Sequence, residues 1–274
     1  MSDLNMDKRV MKAFEGEFTP KFLATADPAG TPNIVPVISL MPWDPATLIF
    51  AELMIWKTKK NLETNGKVGV SVLTADMNAW TLKGVFEGFE RTGPWFDKLS
   101  MTDMFRYNAY TGPRNAGGIH VEEVARVRGM IAPPRVAELA FASLAAVGVK
   151  NRPEGIMPPQ VTEKFSRMKA AKFVSILDPD GFPLALPALS LFPADNGTLE
   201  FGAGALRAFG AEPPAPPFKA AAAVITFDPV AYQVKGTVTE YAHRLGVRIA
   251  RLRVEEVYSA SPPLPGKRID RRPA

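Results

Sequence analysis

A length of 274 residues allows one large domain or two small ones at about 150 residues each, and a composition of 46% hydrophobic and 22% charged residues excludes disordered, collagenous and coiled-coil chains. Zero Cys excludes disulfides, thiolate metal sites and cysteine nucleophiles, and two His leave little for zinc or a catalytic triad, so any redox chemistry must come from a bound cofactor. The net charge is only +5, and 26 Pro with 21 Gly favour turns and short strands over a helical bundle, which gives a mainly β (α+β) expectation.

Residues 5–16 carry apolar side chains at helical spacing and predict a short amphipathic helix. Phe22-Leu23-Ala24-Thr25 predicts a strand and 32–40 a second. Between them Asp27-Pro28-Ala29-Gly30 fits a type I turn, with Asp first, Pro next and Gly last. A second hairpin runs from 38–41 to 48–50, and after a charged stretch at 52–66 the strands 68–73, 80–87 and 119–131 complete a set of six. Residues 135–147 predict an apolar-faced helix, and the Gly- and Pro-rich 148–159 a linker.

The pattern then repeats. Residues 21–50 lie over 172–201 at a constant offset of 151, with 14 identities in 30 positions. Past a change of loop length, Lys67 corresponds to Lys219, and Leu82-Lys83-Gly84 to Val234-Lys235-Gly236, at an offset of 152. Glu122-Glu123-Val124 and Glu255-Glu256-Val257 close the two copies. Asp178-Pro179-Asp180-Gly181 repeats the first turn, Asn196-Gly197 suggests a tight hairpin turn with positive φ, and 159–171 repeats the opening helix. The expected domains are therefore 1–133 and 159–274, joined by a helix and linker over 134–158, the second domain ending in a basic tail. Six short antiparallel strands per unit point to a closed or nearly closed barrel. From repetition alone, a duplicated barrel without any ligand is an equal alternative.

The copies differ after the third strand. Copy one reads Trp56-Lys57-Thr58-Lys59-Lys60-Asn61-Leu62, predicting a helix that begins near Thr58, with Thr58 as its cap, and ends at Asn65-Gly66. A helix start presents free N–H groups and a positive dipole end, so with Lys57 and the Thr58 hydroxyl it forms a candidate phosphate cradle, which Asn61, one turn on, also reaches. The competing reading makes Lys57, Lys59 and Lys60 one solvated basic face. Copy two has Gly204-Ala205-Leu206-Arg207-Ala208-Phe209-Gly210 and then a Pro-rich run from Glu212, which is not expected to form a helix. This asymmetry predicts one ligand site per chain.

The order strand, D-P-x-G turn, P-x-x-V-P-V strand, T-L-x-F-A strand and K-T-x-x-N-L helix resembles the FMN-binding split β-barrel proteins, the superfamily of pyridoxamine 5′-phosphate oxidase and the small bacterial FMN-binding proteins, here as a tandem duplication. The resemblance implies two tandem six-stranded antiparallel split β-barrels with short helices, and FMN in the groove between barrels. It places Lys57, Thr58 and Asn61 on the FMN phosphate. It lines the ring and ribityl chain with backbone of Val35, Pro36, Val37, Leu53 and Met54, and leaves Trp56 either packed nearby or as a barrel-surface aromatic. It also implies a flavin-dependent oxidoreductase acting on a small molecule, in which the flavin supplies the chemistry and no side chain need be catalytic. The alternatives are an electron carrier without its own substrate, or an F420- or haem-binding relative, the scarcity of His weighing against haem. The end of the chain, 261–268, lacks the Arg/His segment with which pyridoxamine phosphate oxidases hold their substrate, so that activity is not expected. Relatives pair two barrels as homodimers, whereas this chain would pair its own halves, with a homodimer through copy one also open. Lys83 and Lys235 recur as scaffold residues or flavin contacts, the paired Glu residues as solvent-facing positions, and His120 and His243 do not match each other. The tail Lys267, Arg268, Arg271 and Arg272 reads as solvated. No basic helix interleaved with aromatics suggests nucleic acid, no run reaches the roughly 18 apolar residues of a membrane span, and residues 1–9 show no secretory signal, so a cytoplasmic protein is expected.

Overall fold

Each copy opens its sheet with the same turn. Asp27 and Asp178 accept at their carbonyls from Gly30 (2.9 Å) and Gly181 (3.0 Å), and their carboxylates accept from Thr31 and Phe182 N–H at 2.8 Å. Both glycines are left-handed, at φ +69° and +80°, a conformation that strains any residue with a Cβ. The computed structural model that shows this describes residues 5–16, 19–106, 112–127, 155–244 and 246–271. The helix expected at 135–147 lies outside the described residues.

The first copy consists of α1 (Lys8–Glu15), β1 (Lys21–Ala26), β2 (Pro32–Pro36), β3 (Met41–Asp44), β4 (Thr47–Ala51), α2 (Trp56–Thr64), β5 (Lys67–Leu73), β6 (Ala79–Glu90), α3 (Pro94–Ser100), α4 (Asp103–Arg106) and β7 (Ala116–Val127). The second has α5 (Pro159–Ser166), β8 (Ala171–Leu177), β9 (Pro183–Pro187), β10 (Phe192–Pro193), β11 (Thr198–Gly202), a 3-10 turn (Ala203–Leu206), β12 (Phe218–Ile225), β13 (Ala231–Arg244) and β14 (Val247–Ser259). The strands form two antiparallel sheets, β2-β1-β5-β6-β7-β4-β3 and β9-β8-β12-β13-β14-β11-β10, so the order is the same in both copies. The protein is mainly β. No helix among the described residues is long and apolar enough to cross a membrane.

Each sheet has seven strands where six were expected. The β-prone run 32–40 does not continue as one strand: Leu40 N–H bonds the Val37 carbonyl (3.2 Å), closing a turn, and the Lys21 ammonium donates to the carbonyls of Ile38 (3.0 Å) and Leu40 (2.8 Å). The chain then re-enters the sheet at its other edge as β3. Copy two breaks in the same way, with Leu191 N–H on the Ala188 carbonyl at 3.0 Å. The turn at Asn196-Gly197 closes without positive φ. There Asn196 is buried, its Oδ1 accepting from Thr162 and its carbonyl from Met157 N–H.

The strands where the two sheets meet are buried on both faces, which explains their near-continuous apolar runs. In β1, Leu23 enters its own core while Phe22 and Ala24 face the other sheet; in β12, Ala220, Ala222 and Val224 point inward and Ala221 and Ala223 outward. Phe22 stacks on Phe173 across the contact at 4.2 Å between ring centroids. Gly69 permits the closest approach, since a Cβ there would lie 1.9 Å from the Pro183 carbonyl oxygen. Gln233 Nε2 donates to the Ile34 carbonyl (2.7 Å), and in the mirror position Thr81 Oγ1 donates to the Ala185 carbonyl (2.8 Å).

Lys172, the repeat partner of Lys21, is sealed from solvent with no hydrogen-bond partner for its nitrogen, which lies 3.3 Å from the centroid of the Phe192 ring. Burial holds its pKa well below the ordinary 10.5. Between its lowered folded pKa and 10.5 the unfolded chain binds the extra proton, so this group makes stability rise with pH in that window. Lys172→Met should therefore stabilise the protein by about 1–3 kcal/mol at neutral pH and flatten that rise. Lys21→Met, which strands two carbonyls, should cost about 1–3 kcal/mol. Urea unfolding at several pH values separates the two.

Candidate functional site

The turn after β2 and the segment between β4 and α2 face the second copy across a groove of about 260 Å³. Val35, Pro36, Val37, Leu53, Met54, Trp56, Lys57 and Thr58, eight of the nine residues singled out in the sequence, line it. The opposite wall is built by the second copy: Ile225 and Pro229 from the hairpin between β12 and β13, Ala231 and Gln233 of β13, Tyr258 of β14, and the segment that follows it to Gly266. The volume is close to the lower end of the roughly 300–1,000 Å³ of small-molecule sites.

Helix α2 begins at Trp56, earlier than expected. Ile55 is its cap residue and offers no side-chain bond. Thr58 is not the cap because its hydroxyl turns inward and accepts from Asn33 Nδ2 at 3.1 Å. The first intrahelical donor is Lys59, bonded to the Ile55 carbonyl (2.7 Å), so the N–H groups of Trp56, Lys57 and Thr58 have no partner within the helix. Asn61 does not line the groove. It is buried behind Thr58 and donates to Thr25 Oγ1 at 3.0 Å. In copy two the equivalent stretch forms a single 3-10 turn, Ala203–Leu206, and no α-helix.

A buried polar chain supports the groove's floor. Asn33 Nδ2 reaches both Thr58 and Thr25, and Gln233 Nε2 crosses from the other copy to Asn33 Oδ1 at 3.1 Å. The repeat partners of Thr25 and Asn33 are Ile176 and Leu184, so copy two carries oil where copy one carries a hydrogen-bonded network. A buried polar network whose members are satisfied fixes one geometry. Thr25, Asn33, Gln233 and Tyr258 were not singled out in the sequence. For Thr25 and Asn33 the signal was present, a polar residue opposite an apolar one at constant offset.

The cationic end of the groove is at Lys57. Its nitrogen lies 3.9 Å from the centroid of the Tyr258 ring, a cation–π contact between the copies. Burial lowers the Lys57 pKa and Arg268 adds to this, while Glu256 and Asp27 oppose it. The Tyr258 hydroxyl donates to Glu256 Oε2 (2.9 Å), and its pKa is pushed up to about 12 by burial and by that carboxylate. Trp56 stands at the rim, 52% exposed, with the Arg114 guanidinium 4.6 Å from its ring centroid. Met54 has φ +51°, a strained conformation for a residue with a side chain, and sits on the groove wall.

No family model and no curated protein matches the chain. Solved structures do. An FMN-binding protein from Syntrophomonas wolfei subsp. wolfei is 19% identical (TM-score 0.39), matching 43% of this chain and 84% of its own. HupZ of Group A Streptococcus is 23% identical (TM-score 0.39), over 45% of this chain and 95% of its own. An F420 reductase is 23% identical (TM-score 0.34), over 43% and 95% respectively. Each spans less than half of this chain but nearly all of itself. At these identities and TM-scores the likeness assigns no ligand to the groove, whose ligand is read from the chemistry of its walls.

Proposed function

We propose that the protein binds FMN in the groove between its two split barrels and acts as a flavin-dependent oxidoreductase on a small molecule. The observation that carries this reading is the convergence of Lys57 and the unpaired N–H groups opening α2 at one end of a groove whose remaining wall is largely apolar. Such a surface suits a ligand with a phosphate at one end and a planar hydrophobic ring system at the other.

The residues present fit that group. Lys57 and the N–H groups of residues 56–58 would hold the phosphate. The backbone of Val35–Val37 and of Leu53–Met54 would border the ring and the ribityl chain, and the Thr58–Asn33–Gln233 chain would keep both copies in register around it. When bound, the flavin supplies the electron-transfer chemistry. This chain's own residues bind, orient and shield: Ile225, Pro229 and the 258–266 segment form the wall against which a substrate would stack, and no side chain in the groove is assigned as an acid or base.

Titrating purified protein with FMN and following quenching of flavin fluorescence tests the reading. Saturation at one FMN per chain is expected. Absence of binding, or a stoichiometry of two, overturns it. F420, whose ribityl chain also carries a phosphate, there as a diester, is the competitor to run beside FMN, and tighter binding of F420 would reassign the cofactor.

A further inference from the structure

The duplication supplies an internal control for the residues around the groove, and the two recurring lysines, neither of which lines it, behave differently. Lys83 of β6 is neutralised: its nitrogen is 2.6 Å from Asp178 Oδ2 and 3.4 Å from Glu123 Oε2, its partner across the strand pair. The Phe209 ring, at the position that the repeat offset gives to Ala208 or Phe209 opposite Lys57, lies 4.6 Å from it. Phe182 closes the rest of that locus at 5.6 Å.

Lys235 of β13 occupies the mirror position, with Asp27 and Glu256 standing where Lys83 has Asp178 and Glu123. Yet it forms no ion pair and donates no hydrogen bond among the described residues. Its cross-strand partner Glu256 is taken by the Tyr258 hydroxyl (2.9 Å) and by Arg268 (3.2 Å). Lys235 is only 4% exposed. Its nitrogen is nevertheless not sealed as that of Lys172 is. It stands two residues beyond Gln233 on the same strand face, and Gln233 pairs across the strands with Tyr258, the ring on which Lys57 rests. A second cation has thus been kept unpaired beside Lys57, where the other copy has cancelled its own.

We infer that Lys235 is a specificity-determining residue, adding its charge from the opposite copy to that of Lys57 at the anionic end of the groove, and so selecting phosphate-bearing over phosphate-free flavins. This rests on the reading that the groove takes a flavin phosphate, but it adds a residue from the second copy. It also makes binding pH-dependent. Burial first, and Lys57 second, hold the Lys235 pKa down to about 8, against the opposing pull of Glu256 and Asp27. The charged groups around it are Lys57 on α2, Asp27 in the first turn, Glu256 and Tyr258 on β14, and Arg268 in the tail. A bound phosphate favours the ammonium, so affinity is greatest below pH 8 and falls by up to about tenfold per pH unit above it.

The test compares wild type, Lys235→Met and Lys235→Arg for binding of FMN and of riboflavin. The methionine variant should lose about 10- to 100-fold in FMN affinity, bind riboflavin as wild type does and lose the fall that sets in near pH 8, while arginine restores most of the FMN affinity. Unchanged FMN affinity in Lys235→Met overturns the assignment and leaves the flavin reading standing. Should wild type not bind FMN, the flavin reading falls, and inorganic phosphate decides for Lys235. Thermal stabilisation by phosphate that Lys235→Met abolishes upholds the assignment, and equal responses of the two proteins, including none, overturn it.

Discussion

Gly69→Ala should be among the most damaging single methyl groups that can be added to this protein. The new Cβ would fall 1.9 Å from the Pro183 carbonyl oxygen and 2.9 Å from the Ala185 nitrogen, both backbone atoms of β9 that no side-chain rotation can clear. The sheets must separate or bend, at a cost of about 3 kcal/mol or more. For a protein of this size that lowers Tm by about 6–12 °C. Since the groove has one wall on each copy, FMN affinity should fall with it. Gly66→Ala is the control: its Cβ would meet nothing closer than 3.5 Å, its φ is not left-handed, and Tm should stay within about 2 °C. Calorimetry on the two variants decides, and an unchanged Tm for Gly69→Ala would mean that the sheets do not approach each other as described.

Lys57→Ala should raise the FMN dissociation constant about 30- to 100-fold, the worth of a charge-assisted contact of about 2–3 kcal/mol. Folding should be little affected, because the lysine's main contact is the face of the Tyr258 ring. Arg207→Ala, in the corresponding stretch of the other copy, should leave FMN binding unchanged, since Arg207 is spent on Glu212 at 2.9 Å on an exposed turn. Equal losses in both variants would place the phosphate elsewhere.

Much of the fold could be read from residues because the residues appear twice. The Asp-Pro-x-Gly turns, the apolar runs and the constant offset specify a strand order that holds in both copies. The break at 37–40 was hidden, because Val37-Ile38-Ser39-Leu40 has the composition of a strand and is turned by the ammonium of Lys21, a contact 17 to 19 residues away along the chain. In the site, the local stretches 35–37 and 53–58 were legible since each carries its own signal of turn, strand end or helix start. Asn61 was misdirected, because helical spacing brings it to the same end of the helix but not to the same face of the pocket. Gln233 and Tyr258 could not be found from local pattern at all. They reach the groove through the pairing of β13 with β14 and the contact of the two sheets, both set by long-range packing.

The contact between Phe22 and Phe173 joins two non-identical copies, and this alters what a substitution can accomplish. In an assembly of identical subunits every change is made twice, so a polar residue useful beside the ligand must also be tolerated at the symmetry-related position. Here each side answers to its own pressure. Thr25 and Asn33 could become wet while Ile176 and Leu184 stayed dry, and Lys57 could be kept on one side while Phe209 filled the other. Because both walls travel on one polypeptide, the pocket is also assembled at any dilution, and its occupancy at a given pH should depend on the concentration of ligand and not of protein.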